Sequence, residues 1–149
     1  MKILVTGGAG FIGSHLVDRL VQEGYDVVVA DNLSSGKRKN INRAANFYKV
    51  DIQGSGLDRV FRKERPTMVM HLAAQMDVRR SVADPTYDAQ INILGTLNVL
   101  ALAVKYGTRK AIFASSGGAI YGEQETFPAP ETHPLRPMSP YGISKLSGE

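Results

Sequence analysis

Apolar positions fall in short runs, each closed by glycine, an acid or a pair of serines, with helix-period stretches between them. Lys2-Ile3-Leu4-Val5 is apolar over strand length and gives way at Thr6 to glycines at 7, 10 and 13. Phe11 to Glu23 is amphipathic and predicts a helix, followed by a strand over Asp26 to Ala30 that ends on Asp31. Asn32 to Gly36 reads as loop, Ala45 to Val50 as a third strand ending on Asp51, and Gly56 to Arg62 as a helix buried through Leu57, Val60 and Phe61. Pro66 opens a fourth strand over Thr67 to Leu72, apolar throughout as a strand covered on both faces should be. Gln75 to Pro85 is polar and reads as loop. Tyr87 to Tyr106 reads as a long helix, with Ile91, Leu94, Leu97, Leu100, Ala101 and Val104 at three- and four-residue spacing and Gly107 as its stop. Lys110 to Ala114 predicts a fifth strand, ending on Ser115-Ser116.

Gly117 to Pro140 carries prolines at 128, 130, 134, 137 and 140, and a loop of that length in a compact domain usually has a function. A helix begins again at Tyr141 and shows no stop signal before Glu149, so the Tyr141–Lys145 helix reads as cut. Strands alternate with helices, which calls for parallel pairing and right-handed crossovers. The expected fold is α/β, a Rossmann-like doubly wound parallel sheet forming one dinucleotide-binding domain over 1–149, truncated before a C-terminal substrate-binding portion.

Composition changes this picture little. Hydrophobic residues make up 43% and charged residues 21%, ordinary for a globular domain. No run of eighteen apolar residues predicts a membrane span, and the N-terminus is too short before its first glycine for a signal peptide. The absence of cysteine excludes disulfides, thiolate metal sites and a thiol nucleophile, and fits a cytoplasmic protein. The net charge of +4 is local: Lys37, Arg38, Lys39, Arg43 and Lys49 lie between Asp31 and Asp51 with no acid among them. One basic loop without an aromatic platform is not a nucleic-acid surface. It is a solvated loop or a contact for the adenosine end of a cofactor. His15, His71 and His133 are scattered and predict no metal site.

The glycine turn has a physical job if the ligand is a dinucleotide. Gly7 turns the chain, Gly10 leaves the backbone bare for a pyrophosphate, and Gly13 lets helix and strand pack closely. The helix N-terminus offers N–H groups and a partial positive charge. Asp31, eighteen residues beyond Gly13, is placed to accept from ribose hydroxyls, and its charge disfavours a 2′-phosphate, so NAD is favoured over NADP.

The second motif is Tyr141-Gly-Ile-Ser-Lys145, whose phenol and ammonium share one helix face. A free tyrosine ionises near ~10, so a neighbouring cation that favours the phenolate can make Tyr141 a general base. Strand ends are where open α/β sheets bind ligands, so a hydroxyl of Ser115 or Ser116 could meet the oxygen that Tyr141 deprotonates.

These stretches resemble the NAD-dependent epimerase/dehydratase family, in the extended branch of the short-chain dehydrogenase/reductases, and within it the UDP-glucose 4-epimerases. The resemblance rests on residues 6–14, 31–36, 51–52, 71–74, Asn92 with Gly95-Thr96, 115–122 and 139–145. It implies that Gly7, Gly10, Phe11, Ile12 and Gly13 cradle the pyrophosphate of NAD, and that Asp31 and Asn32 hold the adenosine ribose. Asp51 and Ile52 would flank adenine, while Leu72, Ala73, Ala74, Gln75, Asn92 and Ser115 would line the cofactor. Tyr141 and Lys145 would be the catalytic pair and would also touch it. The family's serine or threonine falls on Gly117 counted back from Tyr121-Gly122 and on Ser116 counted back from Tyr141; Ser116 is preferred because glycine has no hydroxyl.

Related dehydratases carry an Asp-Glu pair where this chain has Gly118 and Ala119, so the resemblance implies epimerisation at C4 of a nucleotide sugar, through a 4-keto intermediate, rather than elimination. A uronate epimerase, a reductase or a dehydratase of the family, and a non-catalytic dinucleotide-binding fragment, are the alternatives. The resemblance also implies a homodimer through the helices near 87–106 and 141 onward and a UDP-sugar substrate. With the family's C-terminal substrate portion absent, these 149 residues alone are expected to bind NAD weakly or not at all and not to turn over.

Overall fold

The computed structural model describes residues 1–149. In chain order the elements are β1 (Lys2–Thr6), α1 (Phe11–Gln22), β2 (Asp26–Asp31), β3 (Asn46–Lys49), α2 (Gly56–Glu64), β4 (Met68–His71), α3 (Val78–Ala83), α4 (Pro85–Ala89), a π-helical turn at Gln90–Gly95, α5 (Thr96–Lys105), β5 (Lys110–Phe113), α6 (Gly117–Ile120) and α7 (Pro140–Gly148). The chain divides into two compact units, Met1–Ala74 with Gly95–Ala114, and Gln75–Leu94 with Ser115–Glu149.

The first unit is a five-stranded parallel sheet in the order β3-β2-β1-β4-β5, the Rossmann-like arrangement that the alternation of strands and helices predicts. The register Leu4↔Val28 and Leu4↔Val69 sets like residues side by side, and side chains alternate between faces. Ile3, Val5, Val27 and Val29 therefore share one face, buried against Val17 and Leu20 of α1. Leu4, Val28 and Val69 share the other face, the one left to the buried Leu57, Val60 and Phe61 of α2 and Val99 of α5. With both faces covered, β1 and β2 are apolar almost without interruption.

A polar cluster sits at the N-terminal end of the strands. The Lys2 ammonium lies 2.7 Å from Glu64 and 3.3 Å from Asp26, and the Tyr48 hydroxyl also donates to Glu64. Burial pushes the Glu64 carboxyl up, but hydrogen bonds from Lys2 and Tyr48 and the Lys2 charge outweigh that and hold it below the ordinary carboxylate range. Elsewhere in this unit, Lys105 and Tyr106 both bond Asp58, tying the end of α5 to α2.

The second unit is built from α3, α4, the first part of the π turn, α6 and α7. Two expectations need correction here. Residues 75–85 are not all loop: Asp77 accepts the Arg80 N–H and caps α3, and Asp84 accepts the Tyr87 N–H and caps α4, whose first residue is Pro85. Nor is the helix from 85 to 105 uniform. Leu94, Leu97, Ala101 and Val104 of the apolar stripe are exposed, whereas Val99, Leu102 and Ala103 are buried. A π turn holds one residue more than an α turn, so the buried face after it is displaced from the one the regular spacing predicts. This stretch of 21 residues contains an 18-residue window with a mean hydropathy of 1.2, which meets the length and composition of a membrane span. Core helices of globular domains meet the same measure, and this one buries Asp88, Asn92 and Thr96.

Candidate functional site

The first unit gathers the glycine turn and the strand ends. Gly7 has φ +72°, and a Cβ there would stand 2.7 Å from the Ala73 nitrogen, so glycine alone fits. The Gly10 N–H donates to the Gly7 carbonyl and closes the turn. No side chain caps α1 at Gly10, so the N–H groups of its first turn are left for an anion. Beside them Phe11 and Ile12 are 81% and 69% exposed, two large apolar side chains left mostly open, the Phe11 ring touching that of His15.

Asp31, at the end of β2, is buried. Its Oδ2 accepts the Ala9 N–H at 2.9 Å and its Oδ1 the Leu33 N–H at 2.8 Å. The carboxylate thus braces the glycine turn, and each oxygen keeps a lone pair for a ribose hydroxyl. The Asn32 amide donates to Asp51, which also accepts the Gln53 N–H. Ile52 is buried, its carbonyl held by the Asn98 amide. Leu72 and Ala73 follow β4, their N–H groups donating to the carbonyl and hydroxyl of Thr6. Ala74 ends the first stretch of this unit, half-buried. The basic loop folds back over the turn, with the Lys37 N–H and the Asn40 amide both on the Ala9 carbonyl, and Lys37, Arg38 and Lys39 exposed.

The second unit holds the other motif. Ser139 accepts the Gly142 N–H at 3.1 Å and Pro140 fills the first helical position, so Ser-Pro starts α7 one residue before Tyr141. A Cβ on Gly142 would meet the Ala119 carbonyl at 2.5 Å, so the first turn of α7 rests directly on α6. A cleft of about 630 Å³ opens there, its walls including Ser116, Gly118, Ala119, Glu123, Met138 and Tyr141. Ser116 shares this cleft with Tyr141; Ser115 is exposed and not among its walls. The Lys145 ammonium lies 5.9 Å from the centre of the Tyr141 ring. Lys145 is only 4% exposed, and burial pushes its ammonium below the ordinary lysine value, with the Asp88 carboxylate opposing that shift.

Gln75 and Asn92 sit together, away from solvent. The Asn92 amide bonds both the N–H and the carbonyl of Gln75, while the Gln75 side chain takes the Asp77 N–H and donates to Asp77 and Asp88. These bonds close the turn after Ala74 and occupy the Gln75 N–H as well as its side chain, so what Gln75 can still offer a ligand is the second lone pair of its carbonyl. The long loop is pinned from within: the His133 Nε2 accepts the Glu125 N–H, which leaves the ring proton on Nδ1 to donate to the Pro134 carbonyl. No group of three or more histidine, aspartate and glutamate side chains is arranged to hold a metal ion.

The profile of the NAD dependent epimerase/dehydratase family matches residues 3–149. The chain belongs to the NAD-dependent epimerase/dehydratase family. It is 52% identical over 147 residues to a putative UDP-glucose 4-epimerase of Methanocaldococcus jannaschii, covering 99% of this chain and 48% of that one. It is 45% identical to the UDP-glucose 4-epimerase of Mycolicibacterium smegmatis, covering 100% and 49%. Among solved structures, the UDP-glucose 4-epimerase of Thermotoga maritima with UDP-glucose is 55% identical with a TM-score of 0.96, covering 99% of this chain and 48% of that one. The Thermus thermophilus UDP-glucose 4-epimerase in complex with NAD is 51% identical, also with a TM-score of 0.96 and the same coverage. This epimerase/dehydratase family chain therefore spans about half the length of the relatives it matches.

Two groups in this family member escaped the sequence reading. Asp88 and Ser144 are buried and bonded to each other at 2.7 Å, although 56 residues separate them. The signal available was Asp88 four residues before Asn92 on one helix, which reads equally well as a solvated face.

Proposed function

We propose that this chain is the cofactor-binding half of an NAD-dependent nucleotide-sugar 4-epimerase that interconverts UDP-glucose and UDP-galactose. The observation that carries the reading is the cleft: Ser116 and Tyr141 share it, Lys145 is buried within reach of the Tyr141 ring, and positions 118 and 119 are glycine and alanine, the one carboxylate of its walls being that of Glu123. A dehydratase needs an acid and a base where these two residues stand.

The glycine turn fits a dinucleotide, because Gly10 has no side chain in the way and the start of α1 is uncapped. Gly7, Gly10, Phe11, Ile12 and Gly13 hold the pyrophosphate in this reading, and Asp31 and Asn32 the adenosine ribose. Asp51, Ile52, Leu72, Ala73, Ala74, Gln75, Asn92 and Ser115 complete the cofactor's surroundings. Bound NAD supplies a reversible hydride acceptor for the sugar C4. Tyr141 takes the proton of the sugar 4-hydroxyl and later returns it to the same oxygen. Lys145 favours the phenolate of Tyr141 and holds ribose hydroxyls, and the Ser116 hydroxyl fixes the sugar O4 between the two transfers. A 4-keto sugar lies midway, and returning the hydrogen to its opposite face inverts C4.

The 149-residue stretch by itself is expected to bind NAD weakly and not to turn over, since the relatives that carry this activity are about twice as long. A homodimer through the helices near 87–106 and 141 onward is part of the same proposal, supported by Leu97 and Val104 at 57% and 82% exposed. The deciding experiment is Tyr141→Phe in the full-length protein. Removing a positioned acid–base group costs about 10²- to 10⁴-fold, so interconversion of UDP-glucose and UDP-galactose should fall by that much. Normal interconversion would overturn the proposal.

A further inference from the structure

Asp88 and Lys145 are the two charged groups buried in the second unit. The other ionisable side chains on the elements packed around them, Asp77, Arg79, Arg80 and Asp84 at α3 and α4 and Glu149 at the end of α7, are exposed, and Tyr87 and Tyr141 are half-buried. An acid as deeply buried as Asp88 needs both oxygens satisfied. Its Oδ1 accepts the Gln75 amide at 2.9 Å and the Asn92 amide at 3.0 Å, and its Oδ2 accepts the Ser144 hydroxyl at 2.7 Å.

Three side-chain donors on one carboxylate, none of them cationic, make a site built for a negative charge. The buried positive charge of this unit belongs to the residue after Ser144. A hydrophobic side chain would fill the same space without drawing Gln75, Asn92 and Ser144 into the interior. The network therefore does more than pack.

We infer that Asp88 is a positioning residue for Lys145: its carboxylate grips α7 at Ser144 and stands as the fixed counter-charge to the neighbouring Lys145 ammonium. The inference rests on the reading of Lys145 as the partner of Tyr141. Lys145 has to be dry enough to act strongly on the phenol and yet remain ionised, and burial alone works against the second requirement. Asp88 opposes that effect. It does so without entering the cleft, whose walls do not include it. The same carboxylate holds Gln75 and Asn92, so the turn after Ala74 and the face of α7 are set by one group.

The variant that separates charge from shape is Asp88→Asn in the full-length protein. Its amide oxygen can still accept from Gln75 and Asn92, and its amide nitrogen can donate to Ser144, whose hydroxyl needs only to rotate. The Lys145 ammonium is followed by side-chain nitrogen NMR in a lysine-labelled protein, its signal identified by its loss in Lys145→Met. A nearby opposite charge shifts a pKa by roughly one to three units, and the Asp88 carboxylate acts on Lys145 in the raising direction. Asp88→Asn should therefore lower the Lys145 midpoint by at least one unit. The alkaline limb of the epimerisation profile should move down with it, with about tenfold less turnover per unit above the new midpoint. A folded Asp88→Asn protein with an unmoved Lys145 midpoint overturns the inference.

Should Asp88→Asn not fold, the wild-type protein decides alone. The Asp88 carboxyl carbon should report the deprotonation of Lys145 at the same midpoint, and a carboxyl signal flat through that midpoint overturns the inference. The NMR midpoint does not depend on the substrate. A protein that leaves UDP-glucose untouched but shows the shift refutes the proposed reaction and leaves the Asp88–Lys145 coupling standing.

Discussion

Gly13 is the tightest point of the glycine turn, since a Cβ there would lie 2.2 Å from the Gly7 carbonyl oxygen. That is backbone against backbone, and no rotamer relieves it. Gly13→Ala should therefore displace the turn and weaken NAD binding in the full-length protein by tenfold or more, measured by titration calorimetry. Gly54→Ala is the matched control: its nearest contact would be an ordinary 3.5 Å to the Asp51 carbonyl, and it should leave affinity unchanged. The glycine spacing was legible in the sequence because it is a backbone requirement with one residue able to meet it. The bracing of the turn by Asp31 was not. Ribose recognition could be read from its place at a strand end, but the bonds to the Ala9 and Leu33 N–H groups join residues whose proximity only the folded turn creates.

Elements were easiest to read where burial enforces one period. α2 runs two residues beyond its expected end and buries Leu57, Val60 and Phe61 as its spacing predicts. Phe61→Ala should cost about 3–5 kcal/mol, seen as a lower urea midpoint with an unchanged slope. The link from α2 to the sheet through Glu64 also gives a pH signature. The Glu64 carboxyl is held below its unfolded value, so its contribution is fully present above an unfolded pKa of about 4.3 and is lost as pH falls through the folded one. Lys2 is raised by its hydrogen bond to Glu64, so its share is present below about 10.4 and lost as pH rises through its folded value. In urea unfolding between pH 3 and 7, Glu64→Gln should flatten the acid limb; an unchanged limb would exclude Glu64 as its source. α3 was missed because six residues hold less than two turns of pattern and its capping aspartates read as loop. The face of α5 was misread because a π turn is a change of phase that hydrophobicity does not announce. π turns occur often at functional sites, and this one carries Asn92.

At the scale of the molecule, order along the chain was enough to predict the sheet. Parallel strands need crossovers, and right-handed crossovers leave few orders for five strands. Division into two compact units was not predicted, because the second unit is assembled from pieces 20 residues apart in sequence, with α5 and β5 of the first unit lying between them. The exposed α5 residues Leu97, Ala101 and Val104 give a test at this scale. An apolar stripe on a helix is covered in a stable assembly. Leu97→Glu should convert a dimeric full-length protein to monomer by light scattering while leaving its circular dichroism unchanged. A wild-type protein that is already monomeric at micromolar concentration would remove the dimer from the proposal.

The wall of the cleft at Gly118 has a meaning for how such enzymes diverge. A Cβ at Gly118 would meet no atom within 4 Å, whereas one at Gly142 would strike the Ala119 carbonyl. Selection can therefore add a side chain at Gly118 without disturbing α7, while Gly142 is closed to change. The place where an acid would redirect a keto sugar toward loss of water is thus a vacant lot beside a fixed foundation. If the proposed reaction holds, one scaffold can pass between inverting a sugar carbon and dehydrating it by steps that its folding scarcely registers.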